Sequence, residues 1–110
     1  KKETIFCERV NGKFKLRRGF NIKKGAKVLI IEDVITTGKS SLECVKLIKK
    51  ADAKLIGFAS IIDRSTKKSL RIKTGIISHL KIDVPTYTEN QLPHDLKSMS
   101  ITTPGSRFIK

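Results

Sequence analysis

The chain has 110 residues, which is long enough for one domain with its own hydrophobic core. Its apolar runs, near Val28 and Ile61, are too short to cross a membrane, so a membrane-spanning protein is excluded. Cys7 and Cys44 have neither C-x-x-C nor zinc-ligand spacing. Two such thiols without a secretory signal predict a cytoplasmic protein.

The net charge of +14 is concentrated at the amino-terminal end, since residues 1–27 carry +8 of it. A positive field of this kind is sufficient for nucleic-acid binding, and it is equally compatible with a lysine-rich solvated surface. Aromatic residues make up only 5% of the chain, and no stacking platform, zinc finger or recognition helix is evident. Nucleic acid is therefore disfavoured as a partner.

Taken in chain order, the first strong element is a predicted strand from Val28 to Ile31. It is apolar at every position, which is typical of a strand buried on both faces of a parallel sheet. Glu32 and Asp33 follow at its carboxyl end, the edge at which open α/β sheets bind ligands.

A short polar loop follows these acids and carries the groups that a phosphate requires. Thr36, Thr37, Gly38, Lys39 and Ser40 provide backbone amides, hydroxyls and one ammonium group. Gly38-Lys39-Ser40 is also the end of a P-loop, but that motif needs a glycine at position 33, where this chain has Asp33. Ionised carboxylates accept hydrogen bonds from adjacent hydroxyls, so phosphate donors beside two acids predict a ribose 5-phosphate site.

The pattern after the loop predicts a βαβ unit. Leu42, Val45 and Ile48 have helical spacing within a helix from about Ser40 to Lys50, with Ser40 or Ser41 as N-cap. A second buried strand runs from Leu55 to Ile62 and ends in Asp63-Arg64. A third, half-exposed strand is predicted at Leu80, Ile82 and Val84 and stops at Pro85; an irregular tail follows.

The segment Val28–Ser40 resembles the signature of the type I phosphoribosyltransferases: a hydrophobic strand, two acids, two hydrophobic residues, then Thr/Ser-x-Gly-x-Thr/Ser. The alternative is a buried strand followed by a solvated turn in another α/β protein. Three further segments are similar to one branch of the orotate phosphoribosyltransferases. They are Phe6–Arg9 with Leu16–Phe20, Asp63-Arg64, and the ending Pro104–Arg107.

The resemblance implies an α/β fold, the parallel-sheet, Rossmann-like core of type I phosphoribosyltransferases, incomplete in this chain. It implies transfer of a phosphoribosyl group from 5-phosphoribosyl diphosphate to orotate in pyrimidine biosynthesis, with Mg²⁺ held mainly through substrate and water. The implied catalytic residues are Asp33, Glu32 and Lys13. Those implied to bind phosphoribosyl diphosphate are Arg9, Glu32, Asp33, Val34, Ile35, Thr36, Thr37, Gly38, Lys39 and Ser40. Those implied to bind orotate are Thr36 and Arg64, and the alternative for Arg64 is a surface ion pair with Asp63.

The resemblance covers nearly the whole chain but only the carboxyl-terminal part of the family. We therefore expect one partial domain: a mobile basic loop over residues 1–25, a βαβ phosphoribosyl-binding unit over 26–64, and a final strand with an irregular tail over 65–110. Its basic loop departs from the family pattern, since it has no histidine. Expected partners are a missing amino-terminal segment or complementary chain and a second copy in a homodimer. Two alternative functions stay open, a nucleic-acid-binding regulator with this fold and a purine or uracil salvage phosphoribosyltransferase.

Overall fold

The fold was obtained as a computed structural model, which describes residues 2–100 and 102. Lys1 and the family-like ending Pro104–Arg107 lie outside these residues. The described part contains a two-stranded antiparallel hairpin, a three-stranded parallel sheet, and a helix that connects the first two strands of that sheet.

The parallel sheet has the strand order β3-β4-β5, with β3 at Lys27–Ile35, β4 at Lys54–Asp63 and β5 at Ile76–Lys81. The predicted parallel α/β core is thus confirmed. Strand β3 continues four residues past its predicted end, so Glu32 and Asp33 lie inside the strand rather than after it. Its pairing with β4 reaches Ile35 and Asp63, which keeps both strands extended to the ligand-binding edge.

Helix α1 spans Lys39–Lys50 and covers one face of the sheet. Ile48, with 3% of its surface exposed, packs with Ile30, Phe58 and two other buried isoleucines to form the core. The prediction that Ser40 or Ser41 caps this helix was wrong. The cap position is Gly38, and no side chain caps the helix.

The amino-terminal basic segment forms a hairpin from β1 at Cys7–Val10 and β2 at Lys13–Leu16. Its two-residue turn is Asn11-Gly12, and both residues have positive φ, 49° and 75°. A two-residue turn with positive φ at both positions matches the twist of paired strands, and Asn-Gly is its preferred sequence. The expectation that residues 1–25 are mobile stays a prediction.

The carboxyl-terminal strand was predicted at Leu80–Val84 but lies at Ile76–Lys81. Ile76 and Ile77 pair with Phe58 and Ala59 of β4, so sheet register rather than alternation sets the strand's position. A 3₁₀ turn at Glu89–Gln91 and a short helix α2 at His94–Lys97 follow. No helix of the described residues is long and apolar enough to cross a membrane.

Asp63 at the end of β4 is a buried carboxylate, with 4% of its surface exposed. It accepts hydrogen bonds from the backbone N–H of Ser65 at 2.8 Å and from Nζ of Lys81 at 3.2 Å. Burial alone would raise the pKa of Asp63, but these hydrogen bonds and the Lys81 charge lower it below its usual value. The ion pair therefore joins β4 to β5.

We expect Lys81→Met to reduce the free energy of unfolding of the complete protein by about 1 kcal/mol near pH 7, since Lys81 is largely exposed. The carboxylate has a lowered pKa when folded. Its contribution is therefore present above the unfolded pKa, about 3.9, and is lost as pH falls through the folded pKa. Urea titrations across pH 2–7 should thus show the two proteins converging at low pH. Lys24→Met is the control, because Lys24 and Asp52 are both highly exposed; equal losses in the two variants would contradict the assignment.

Candidate functional site

A cavity of about 130 Å³ opens at the carboxyl edge of the sheet, between the end of β3 and the start of α1. Eight residues line it: Glu32, Val34, Ile35, Thr36, Thr37, Gly38, Lys39 and Ser40. All eight are sequence-predicted binding residues. The structure therefore gathers most of the predicted phosphoribosyl-binding segment around one concave surface.

Glu32 is the carboxylate of this cavity, and it faces helix α1. Its Oε1 accepts a hydrogen bond from Oγ of Ser41 at 2.5 Å. Ser41 is fully buried, so this hydrogen bond fixes the first turn of α1 against β3. Within the described residues, the other carboxylate oxygen of Glu32 accepts no hydrogen bond.

Asp33 is exposed and does not line the cavity. Successive side chains of a strand point to opposite faces, so Asp33 is directed away from Glu32. Its Oδ1 accepts a hydrogen bond from the neighbouring N–H of Val34 at 2.7 Å. The two acids that the sequence predicts to act together are adjacent in the chain but face different sides of β3.

The loop Thr36–Gly38 presents polar groups to the cavity where α1 begins. Oγ1 of Thr37 accepts a hydrogen bond from the N–H of Lys39 at 3.3 Å. Gly38 has φ 72°, a left-handed conformation that glycine adopts without steric cost. Amides and hydroxyls at a helix start, with Lys39 beside them, favour an anionic ligand.

Arg64 follows β4 and adjoins this site through its backbone. Its N–H donates to the carbonyl oxygen of Ile35 at 2.9 Å, which places Arg64 beside the end of β3. Its side chain is not among the groups that line the cavity. Within the described residues, Asp63 pairs with Lys81 and not with Arg64, and the buried Nε of Arg64 has no hydrogen-bond partner. The alternative of an Asp63–Arg64 ion pair is thus not what the structure shows.

Arg9 and Lys13 lie on the hairpin and do not line the cavity. Nη1 of Arg9 is 3.2 Å from Oε2 of Glu43 on α1, and its guanidinium lies over the ring of Phe14 at 4.3 Å. The hairpin is therefore held against α1 rather than against the predicted phosphoribosyl site of its own chain.

A second link between the hairpin and α1 joins the two thiols. Burial raises the pKa of Cys44 to about 12, and the adjacent Cys7 thiol and the carboxylates of Glu32 and Glu43 act in the same direction. A thiol with so high a pKa is almost entirely protonated at neutral pH and is a poor nucleophile. Cys44, like Leu42 and Val45, packs against the hydrophobic core.

Sequence reasoning missed two parts of this site. One is Ser41, which was interpreted as a possible N-cap although its hydroxyl donates to Glu32. The other is the connection between β4 and β5, where Ser69 and Ile72 contact the Thr36–Gly38 loop. Both depend on contacts between residues at least 9 positions apart in the chain, for which the sequence offers no local signal.

The parallel sheet and the strand–loop–helix cavity at its carboxyl edge are typical of α/β proteins that bind ligands at this edge. The family model described as "Phosphoribosyl transferase domain" matches residues 3–95. The chain belongs to the phosphoribosyltransferase family.

The most similar curated relatives include orotate phosphoribosyltransferases. An orotate phosphoribosyltransferase of Parvibaculum lavamentivorans is 42% identical over 106 residues, covering 96% of this chain and 54% of that protein. One from Chlorobium phaeobacteroides is 43% identical over 105 residues, covering 96% and 54%. The chain thus spans about half the length of these curated relatives. Among solved structures, an adenine phosphoribosyltransferase from Rhodothermus marinus is 29% identical with a TM-score of 0.47, covering 56% of this chain and 36% of that one.

Proposed function

We propose that this chain provides the phosphoribosyl-binding part of an orotate phosphoribosyltransferase. Such an enzyme transfers the phosphoribosyl group from 5-phosphoribosyl diphosphate to orotate, giving orotidine 5-phosphate and diphosphate in pyrimidine biosynthesis. The observation that carries the proposal is the cavity in which the Thr36–Ser40 loop and the Glu32 carboxylate meet. The names of the relatives favour orotate over the two alternatives, a nucleic-acid-binding regulator and a purine or uracil salvage enzyme.

In the proposed mechanism the loop binds the 5-phosphate through its N–H and hydroxyl groups, and the acids accept hydrogen bonds from the ribose hydroxyls. Departure of diphosphate leaves positive charge on the ribose ring. The carboxylates of Glu32 and Asp33 stabilise that charge electrostatically, so no covalent intermediate with the protein is needed. Because Asp33 faces away from Glu32, we assign the larger share of this stabilisation to Glu32.

The proposal includes Mg²⁺, which prefers oxygen ligands and is commonly held by one or two carboxylates together with substrate phosphates. Of the two acids, Glu32 lines the cavity and is a donor of this kind. The described residues contain no cluster of three or more acidic, histidine or cysteine side chains, so substrate and water would complete the coordination. When bound, the cation would neutralise charge on the diphosphate.

The basic hairpin is proposed to supply further positive charge to the diphosphate, through Arg9 and Lys13. In the described conformation it is bound to α1 of its own chain. A homodimer in which the hairpin serves the partner's cavity would account for this placement. We also propose that the protein is cytoplasmic, as its two cysteines indicate.

Arg64 is proposed to bind orotate, with Thr36 close to both substrates. The buried Nε of Arg64 has no partner among the described residues, which is unfavourable unless a ligand supplies an acceptor. The orotate carboxylate is such an acceptor, and a guanidinium can bind it with two parallel hydrogen bonds.

The first test concerns the acids. In the complete enzyme, Asp33→Asn should lower kcat at least ~100-fold and Glu32→Gln by more, because a positioned group that stabilises transition-state charge is worth ~2.7–4 kcal/mol. Glutamine keeps an oxygen for the Ser41 hydroxyl, so the fold should survive. The measurement is orotate-dependent release of diphosphate, with circular dichroism to verify folding.

Asp52→Asn is the matched control for these variants. Asp52 is exposed and has φ 53°, a conformation that asparagine tolerates well. We expect wild-type kcat from it. Wild-type turnover in both Glu32→Gln and Asp33→Asn would remove the acids from the mechanism.

The second test concerns specificity. Arg64→Ala should raise KM for orotate by about 10- to 100-fold, since a hydrogen bond to a charged group is worth ~1.5–3 kcal/mol, with little effect on KM for phosphoribosyl diphosphate. Arg64→Lys keeps the charge but not the planar fork, so it should recover only part of the loss. If both substrates are affected equally, Arg64 has a structural role.

The third test concerns the uncovered face of the sheet. Leu29, Ile31, Ile61 and Ile77, on the face opposite α1, are between 44% and 77% exposed. Parallel sheets are covered on both faces, so we propose that another part of the enzyme, in the same or a complementary chain, packs here. Residues 1–110 expressed alone should self-associate in sedimentation and melt without cooperativity. A monodisperse monomer with a cooperative melt that binds phosphoribosyl diphosphate would contradict this proposal.

A further inference from the structure

The connection between β4 and β5, residues 64–75, lies directly against the Thr36–Gly38 loop. The backbone N–H of Arg71 donates to the carbonyl oxygen of Thr37 at 2.9 Å. Oγ of Ser69 donates to the carbonyl oxygen of Thr36 at 3.4 Å. Two successive carbonyl groups of the loop are therefore held from one side by a segment more than 30 residues away in the chain.

Holding these carbonyl groups also sets the direction of the amides that the loop presents. A trans peptide is planar, so its N–H points opposite to its C=O, and the described residues contain no cis peptide bond. The N–H groups of Thr37 and Gly38 therefore point away from the connection. Both residues line the cavity, and no hydrogen bond from either N–H to the described part of the chain is present.

Ile72 fixes the loop at Gly38 by contact. The side chain of Ile72 is buried, with 5% of its surface exposed, and belongs to the hydrophobic core. Its Cδ1 and Cγ1 atoms lie 2.6 Å from the position that a Cβ on Gly38 would occupy. The core therefore extends through Ile72 to the backbone of the loop, which can approach so closely only because residue 38 is glycine.

The connection is itself held in place, so it can act as a support. The N–H of Thr66 donates to Oγ of Ser69 at 2.9 Å, and the N–H of Leu70 donates to the carbonyl oxygen of Thr66 at 3.0 Å. The single hydroxyl proton of Ser69 is shared between the carbonyl oxygens of Thr36, at 3.4 Å, and Thr66, at 3.3 Å. Ser69 thus contributes less to the loop than the Arg71 amide and Ile72 do.

We propose that Ile72 and Ser69 are positioning residues for the phosphate-binding loop, Ile72 being the more important. They act through Gly38 and Thr36 by aiming the Thr37 and Gly38 amides at the 5-phosphate, and they do not touch the substrate. The inference rests on the proposed function of this loop. We expect Ile72 and Ser69 to affect the binding of the ribose phosphate and not the recognition of orotate.

The test uses the complete enzyme and ribose 5-phosphate, which carries the 5-phosphate without the diphosphate. Ile72→Val removes one methyl group from the contact with Gly38 and should weaken ribose 5-phosphate binding about tenfold in calorimetry, because small misplacements of positioned groups are costly. KM for phosphoribosyl diphosphate should rise in parallel, while KM for orotate stays unchanged. Ser69→Ala should give a smaller change in the same direction, and Ser69→Thr, which keeps the hydroxyl, should restore binding.

Ile48→Val is the matched control, since Ile48 is equally buried in the same core but lies on α1 at a distance from the loop. It should lower the melting temperature about as much as Ile72→Val does, without weakening ribose 5-phosphate binding. Equal weakening in the two valine variants, or unchanged binding in Ile72→Val and Ser69→Ala, would overturn the positioning role while leaving the site in place. A wild-type enzyme that does not bind ribose 5-phosphate would instead overturn the proposed function.

Discussion

The parallel pairing of β3 with β4 is the constraint on which the site depends. It runs to Ile35 and Asp63 and is continued by the hydrogen bond from the N–H of Arg64 to Ile35. Because both strands end together, the chain leaving β3 must turn at once into α1, and the chain leaving β4 must pass beside that turn. The cavity, the position of the Arg64 backbone, and the contact of the β4–β5 connection with the loop all follow from this shared edge.

The pleat of β3 gives its two acids different surroundings. Glu32 faces α1, where the buried Ser41 hydroxyl holds one of its oxygens, whereas Asp33 faces solvent. A carboxylate that is already oriented needs little reorganisation when charge develops on a ligand, and an exposed one is screened by water. The two carboxylates at adjacent positions therefore differ in their capacity to stabilise positive charge on a ligand.

Local patterns predicted β3, α1 and β4, because an apolar run and a helical repeat each depend on nearby residues. The predicted position of β5 was wrong, because pairing of Ile76 and Ile77 with β4 overrides the alternation of apolar and polar residues over Leu80–Val84. The hairpin could have been predicted from Asn11-Gly12. The Ser41–Glu32 and Ile72–Gly38 contacts could not, because they join residues that only the folded sheet brings together.

The hairpin's charge is less available than the composition indicates. Arg9 is paired with Glu43, and Arg17 and Arg18 both with Glu8, whereas Lys13 and Lys15 form no ion pair with a described residue. The Arg9 side chain is 44% exposed, and ion pairs near the surface contribute only ~0–1 kcal/mol, so an incoming anion could displace Glu43 from Arg9 at little cost. In the proposed function, where the hairpin supplies positive charge to the diphosphate, release of the Arg9–Glu43 pair would couple binding of the anion to movement of the hairpin away from α1.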